Sequence, residues 1–369
     1  MKDGILGVGV IGASLDGTWG GAAHLPALQG LQGFRTMAVA ATRQESADRT
    51  AKQFAVPRAY INPYELVSDP DVDLVSVTVR VPEHEKLVRM AVAAGKHVYC
   101  EFPLGRTTAE AALMLQTAEE KGIRHFVGLQ ARVNPELSYV RDLLAEGYIG
   151  RVRAFNVNYS LPTYPTRSKE LKRSRSYMLD AANGANNLTI TAGHLLDGLL
   201  YLFGSVPEVS GLLETEVREV RIEETGETVQ VTAPDHVVVS GKFREGAILS
   251  AHVRNSHAGR FVMEVNGTEG DLILESRSGF MFQIDSFLIK AAKGSGARYE
   301  ELQVPARYDR LAGQVQAGPI LNVALMYEAI REDLTANGRR APDFRTAVTV
   351  HELLDRIRAS ASLRARPQA

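Results

Sequence analysis

Two short stretches of this chain hold residue types whose spacing suits chemistry. The first is Gly7-Val8-Gly9-Val10-Ile11-Gly12, a Gly-x-Gly-x-x-Gly run. Where such a run ends a strand and leads into a helix, glycines permit a tight turn and let a diphosphate approach the main chain. Its charge is then met by free amides at the helix N-terminus. Gly9, Gly12, Ser14 and Trp19 are thus candidate dinucleotide contacts; a plain strand-to-helix loop is the other reading. The second stretch is His194 with Asp197 three residues on. On a helix these side chains are neighbours, so the acid can fix the imidazole tautomer. An imidazole with an ordinary pKa of about 6.5 can then act as acid or base near neutrality. A hydrogen-bonded structural histidine is the alternative.

The elements that must position these residues show in the hydrophobic pattern. Apolar runs at 5–11, 36–41, 74–79, 97–100 and 125–129 suit strands buried on both faces. Helical spacing lies between them at 43–55, 82–94 and 107–121, and the last begins with the capping box Thr107-x-x-Glu110. Asn134-Pro135 opens a further helix. This rhythm predicts an α/β fold with a doubly wound parallel sheet. After about residue 150 the order changes: a strand at 152–160, an exposed loop at 161–175, a helix at 188–203, then strands at 237–243, 247–254, 261–266 and 271–275. Strands without intervening helices predict a mainly antiparallel sheet. Helices return at 320–335 and 346–358, and a frayed end is expected from Arg364. The length of 369 residues suits two domains, 1–130 for the dinucleotide and 131–369 for substrate, with the C-terminal helices packing back on the first.

Composition excludes several classes. Lys+Arg is 42 against Asp+Glu 43, a net charge of −1, so no basic face for nucleic acid or membrane lipid is expected. The lone Cys100 excludes an intramolecular disulfide framework and paired-cysteine metal clusters. His236, His252 and His257 lack acidic or cysteine partners at ligand spacing, so no metal site is expected. Apolar runs are too short to span a membrane, and Met1-Lys2-Asp3 leads straight into Ile5 without a signal-peptide layout. The expectation is a cytoplasmic protein handling small molecules.

Further candidates follow from position. The second strand ends Ala41-Thr42-Arg43 without the acid that would hold the ribose hydroxyls of NAD. Thr42 and Arg43 could meet a 2′-phosphate, so NAD or NADP is expected, with Arg43 favouring NADP. Val79 and Arg80 end a strand at the carboxyl edge of the sheet, where ligands bind. Tyr177, Asn186 and Asn187 flank the helix carrying His194 and could bind hydroxyl groups or cap loops. The basic cluster Arg167, Lys169, Lys172, Arg173 and Arg175 reads as a solvated loop, or as a lid over an acidic sugar.

Several motifs in sequence order resemble the Gfo/Idh/MocA family, over nearly the whole chain. They are Gly9-x-x-Gly12, His24-Leu25-Pro26, Pro82-Glu83-His84 and His97-Val98-Tyr99-Cys100-Glu101-Phe102-Pro103. Leu129-Gln130-x-Arg132, Gly193-His194, Pro234-Asp235-His236 and Gly267-Thr268-x-Gly270 are similar to the branch of the fungal galactose-regulon repressor. The resemblance implies an N-terminal Rossmann domain and a C-terminal α/β domain whose open sheet builds homodimers or homotetramers. It implies hydride transfer at a carbinol carbon of a carbohydrate-like substrate. His84, Glu101, Phe102 and Gln130 would then adjoin the cofactor, and Phe102, Arg132, Tyr177, Asn187 and His194 the substrate. Two departures stand out. The family's Glu-Lys-Pro is here Glu101-Phe102-Pro103, and the aspartate expected four residues before His194 is Ile190. A phenyl ring cannot move a proton. A non-catalytic dinucleotide-binding regulator acting by protein contact is therefore an alternative, and a redox-neutral glycosidase working by oxidation and elimination is a second.

Overall fold

Short apolar runs bounded by glycine or charge become parallel strands here, with helices covering both faces of their sheet. A computed structural model describes residues 4–162 and 170–364 and divides into two compact units. The first runs to Val133 and takes in Leu311–Thr349; the second is Asn134–Arg310 with the chain from Val350. A boundary at 130 falls short, because the turn Gln130–Val133 and the returning segment belong with the first sheet. Arg167, Lys169 and the chain beyond Arg364 lie outside the described residues.

The first unit begins β1 (Leu6–Ile11), then a π-helical turn (Gly20–His24) running into α1 (Leu25–Gln29). There follow β2 (Phe34–Ala40), α2 (Gln44–Gln53), β3 (Arg58–Tyr60), α3 (Pro63–Ser68), β4 (Leu74–Val77) and α4 (His84–Ala93). The series closes with β5 (His97–Glu101), α5 (Thr108–Glu120) and β6 (His125–Gly128). Every strand pair is parallel, in the order β3-β2-β1-β4-β5-β6. The order reverses between β1 and β4, which puts the ligand crevice at their carboxyl ends. The hydrophobic pattern misses β3 and α3, since neither is long enough to show a period.

The second unit carries α6 (Pro135–Ala145), β7 (Val152–Leu161), β8 (Glu170–Leu171) and α7 (Gly193–Phe203). Then come β9 (Glu208–Glu214), β10 (Glu219–Ile222), β11 (Thr228–Gln230), β12 (His236–Lys242), β13 (Ile248–Asn255) and β14 (Arg260–Gly267). After them lie β15 (Gly270–Ser276), β16 (Phe287–Lys293) and β17 (Glu300–Leu302). Eight strands form one sheet, β17-β16-β15-β14-β7-β13-β12-β9, parallel only where β7 meets β13. The buried face is aromatic: Phe155 stacks on Phe203 with ring centres 4.1 Å apart, and Phe243 meets Phe155 edge-on. The stretch expected as a loop at 161–175 instead supplies β8 and the start of a 3-10 helix, Arg173–Met178. With β10 and β11, β8 makes a three-stranded sheet over Leu171, Leu179 and Val220. Lastly come α8 (Pro319–Ala336), which belongs to the first unit, and α9 (Phe344–Arg364), which begins there. Among the described residues no helix is long and apolar enough to cross a membrane.

In the first unit, His97 and His125 each accept a main-chain N–H on Nδ1, from Arg124 at 3.3 Å and Phe344 at 3.2 Å. Burial holds both below the ordinary histidine range. The unfolded chain therefore binds more protons than the folded one below the unfolded value of about 6.5. Stability carried by the neutral rings is complete above that pH and is lost as pH falls below it. We expect the urea midpoint to be level from pH 8 to 7 and to drop between pH 6.5 and 5.5. The drop should be smaller in His125→Gln; a level midpoint across the whole range contradicts this account.

Candidate functional site

The glycine run lies one step earlier in the structure than its pattern suggests. Gly7 and Gly9 sit inside β1, paired to β2, and Gly9 also to β4. A Cβ on Gly7 would lie 1.9 Å from the Asp71 carbonyl oxygen, and one on Gly9 2.6 Å from Leu66 Cδ2. These glycines serve close packing, which corrects the expectation of a ligand contact at Gly9. The turn itself starts at Gly12, whose φ of +92° favours glycine and whose N–H donates to Ala40. Thr18 Oγ1 accepts from the N–H groups of Ser14 (2.9 Å) and Gly21 (3.3 Å) and donates to the Ser14 carbonyl, closing the turn. Gly20 and Gly21 let the following helix lie against it, since added Cβ atoms would come 2.5 Å from Thr78 Oγ1 and 2.1 Å from Ser14 O.

Three donors of this turn have no partner among the described residues. The main-chain N–H groups of Ala13 and Leu15 find no acceptor among the described residues. The Trp19 indole N–H is buried and likewise without one. A buried donor left so costs free energy unless a ligand supplies the acceptor. Unpaired main-chain amides at a turn that leads into a helix suit a diphosphate; the Trp19 indole packs against the core of the unit. Val79 lies against Gly12, and Arg80 is exposed at the same edge. At the end of β2, Thr42 and Arg43 are exposed. Arg43 is not free for a 2′-phosphate, because its Nη2 lies 3.5 Å from Asp16 Oδ2. This removes the argument from Arg43 for NADP.

Glu101 lies at the end of β5 with 13% of its side chain exposed. Gln130 Nε2 donates to both its oxygens at 3.0 Å, and His24 Nε2 is 3.0 Å from Oε1. Gly128 makes the room, since a Cβ there would sit 2.6 Å from the carboxylate. His24 Nδ1 lies 2.8 Å from the Tyr327 hydroxyl, itself 2.8 Å from Ser76 Oγ. Burial pushes the Tyr327 phenol far above its ordinary range, so it keeps its proton. One direction of donation satisfies every atom: Ser76 to Tyr327, Tyr327 to His24 Nδ1, His24 Nε2–H to Glu101. Neither His24 nor Tyr327 stands out as a functional residue from spacing, since 303 residues separate them.

The other candidates of this unit divide between holding the frame and lining it. His84 is buried, its Nδ1 3.0 Å from the Pro103 carbonyl and its Nε2 3.0 Å from that of Val79. Burial holds the ring below the ordinary histidine range, so it is neutral and donates its one N–H to one of these carbonyls at a time, with both nitrogens turned to main chain. Phe102 is buried, and Arg132 is half-buried.

In the second unit, His194 and Asp197 are both buried on α7. A π-helical turn, Asn187–Ala192, precedes them, so a regular helical stripe runs from His194 but does not reach back to Ile190. Asn186 caps that turn by accepting from Leu188 and Thr189. Asn187 donates to Asn255 Oδ1 at 2.6 Å and accepts from Thr191 at 3.1 Å. Tyr177 is half-buried. The basic segment is answered by acids: Arg173 Nη1 lies 3.0 Å from Glu227, and its N–H donates to Glu224. Arg173 thus pairs with acids on an exposed surface, as in the reading of a solvated segment. His236 lies 3.1 Å from His252 and 3.3 Å from Glu216, partners that chain spacing does not reveal.

Comparison with known proteins agrees with both halves. Residues 6–129 match the oxidoreductase family with an NAD-binding Rossmann fold, and residues 135–276 match the C-terminal domain of Gal80p. The chain belongs to the Gfo/Idh/MocA family. Within it, the chain lies near the Gal80 branch. Dehydrogenase aclE of Aspergillus oryzae is 35% identical over 46% of each chain. Levoglucosan dehydrogenase of Pseudarthrobacter phenanthrenivorans is 28% identical over 64% of this chain and 63% of its own. The galactose/lactose metabolism regulatory protein GAL80 of Kluyveromyces lactis is 24% identical over 74% and 64%. The matched part thus spans about half to just under two thirds of these relatives. A super-repressor mutant of Gal80p from Saccharomyces cerevisiae has a TM-score of 0.84 at 20% identity, covering 98% of this chain and 97% of its own. Levoglucosan dehydrogenase in complex with NADH and L-sorbose gives 0.84 at 22%, covering 97% of each. At such identities these structures establish the shared fold.

For this family member the Glu101 network makes a direct prediction. Tyr327→Phe strips partners from His24 Nδ1 and Ser76 Oγ in a fully buried place. We expect a loss of about 1–3 kcal/mol of stability by urea denaturation. A change within about 0.3 kcal/mol shows that the hydroxyl is dispensable.

Proposed function

We propose that the chain is an NAD(P)-dependent oxidoreductase acting by hydride transfer at a carbinol carbon of a sugar- or polyol-like substrate. The observation that carries this reading is the glycine turn at Gly12, whose Ala13 and Leu15 amides find no acceptor among the described residues, in the same unit as an ordered Glu101. The levoglucosan and dihydrobenzenediol dehydrogenases among the relatives support an alcohol substrate.

When bound, the nicotinamide supplies an acceptor for two electrons as hydride. With the dinucleotide held by the glycine turn, His194 would take the proton of a substrate hydroxyl whose carbon gives up a hydride, and would return it in the reverse direction. Phe102 stands where the family's lysine would be and cannot carry the proton. The role falls to His194, with Asp197 one turn on to fix its tautomer. Glu101, oriented by His24 and Gln130, is assigned to the ribose hydroxyls, and Arg132, Tyr177 and Asn187 to the substrate side. Assembly as a homodimer or homotetramer through the eight-stranded sheet belongs to the same proposal.

A second reading, a non-catalytic regulator, is favoured by Phe102 and Ile190 at positions where the family's lysine and aspartate would stand. Turnover separates the two. Sugars, polyols and glycosides are incubated with NAD and NADP, following reduced-nicotinamide absorbance and analysing products. Reduction of the cofactor supports the oxidoreductase, and cleavage of a glycoside without net reduction supports oxidation and elimination. An unchanged panel supports the regulator. In an active enzyme, His194→Ala should lower kcat/KM by about 10²–10⁴ while dinucleotide affinity stays constant. Full turnover in that variant removes the assignment.

A further inference from the structure

We propose that Asp16 selects NAD over NADP, acting from the phosphate turn in place of the acid missing at the end of β2. This inference rests on the reading that the chain binds a nicotinamide dinucleotide. In doubly wound folds the adenosine ribose lies at the end of the second strand, where an acid receives its 2′-hydroxyl or an arginine its 2′-phosphate. That strand ends here in Ala40, and Arg43 follows as the residue before α2. The carboxylate beside Arg43 comes from 27 residues earlier in the chain.

Asp16 Oδ2 lies 3.5 Å from Arg43 Nη2, and Oδ1 lies 3.7 Å from Arg49 Nη1. Ser14 Oγ and Ser46 Oγ reach Oδ2 at 3.1 and 3.4 Å, and the two hydroxyls are 2.8 Å apart. Ser14 Oγ also accepts the Asp16 main-chain N–H at 3.1 Å. Two guanidinium groups and two hydroxyls thus converge on one anion, which is the donor set a phosphate monoester would take. The protein's own carboxylate fills that place. Arg43, Arg49 and Asp16 are 72, 54 and 45% exposed. Ion pairs so exposed contribute little to stability, so the arrangement has its main consequence in recognition. A 2′-hydroxyl can donate to Asp16 and leave both arginines paired. A 2′-phosphate meets the Asp16 charge and must take the arginines from it.

The test is calorimetric titration of the full chain with NAD⁺ and, separately, NADP⁺. Emission of Trp19, the one tryptophan, gives a second readout in the same turn. The wild type should bind NAD⁺ at least tenfold more tightly than NADP⁺. Asp16→Asn and Asp16→Ala should each lower that ratio tenfold or more, with NADP⁺ binding tightened. Adding Arg43→Ala to Asp16→Asn should abolish the gain. A ratio unchanged within twofold in both single variants, with NAD⁺ still bound, overturns the role of Asp16 alone. A wild type that binds neither nucleotide at millimolar concentration overturns the dinucleotide reading and this inference with it.

Discussion

A carboxylate almost out of water must be paired and hydrogen-bonded, and in the first unit Glu101, like Asp69 and Asp333, is under that requirement. Its partners come from separate parts of the chain. His24 belongs to the helix after the glycine turn, Gln130 follows β6, and Tyr327 arrives on α8. Ser76 joins from β4. Each partner is held by the next, so the glycine turn, the sixth strand and the returning helix jointly position the end of β5. The same aromatic neighbours that exclude water, Tyr99 and Tyr327, sit within 5.6 Å of the His24 ring centre. Packing and polarity therefore reinforce one another around a single side chain.

This arrangement explains how the site tolerates Phe102. A lysine next to a buried carboxylate would have to bring a compensating charge into the same confined volume. The carboxylate is instead satisfied by an imidazole and an amide, so no cation is needed at residue 102, and a buried phenyl ring is compatible with it. Any proton chemistry must then come from outside this cluster.

Much of this fold was legible from pattern alone, for a physical reason: parallel strands buried on both faces must be continuous apolar runs, and capping residues such as Thr107 and Asn134 mark helix starts by chemistry that is local. What escaped is non-local or short. The glycine pattern was offset because a strand in close contact with Asp71 and Leu66 needs glycines for space, which mimics the need of a turn. The three-residue β3 shows no period. The ion pair of Arg173 with Glu227 and the Tyr327–His24 bond join positions that nothing in the intervening chain links. Of the candidate site, Glu101 and Gln130 came through the resemblance and His194 with Asp197 through helical spacing, while the His24–Tyr327 bond, made across 303 residues, was not legible.

An acid within a phosphate-binding turn would ordinarily oppose the ligand it serves. At physiological salt, charges beyond about 8 Å are largely screened, so the matter is decided by near neighbours. Asp16 has two guanidinium groups and two hydroxyls around it, leaving the local balance positive. The amides of Ala13 and Leu15 add donors without adding charge. The turn can therefore keep an anion of its own and still favour a diphosphate. Its discrimination operates where a second phosphate would have to displace the carboxylate. On the proposal above, the diphosphate is met by main-chain amides and the 2′ position by Asp16, both from the stretch Gly12 to Gly20, with Arg43, Ser46 and Arg49 of the next strand-to-helix segment setting the charge around that acid.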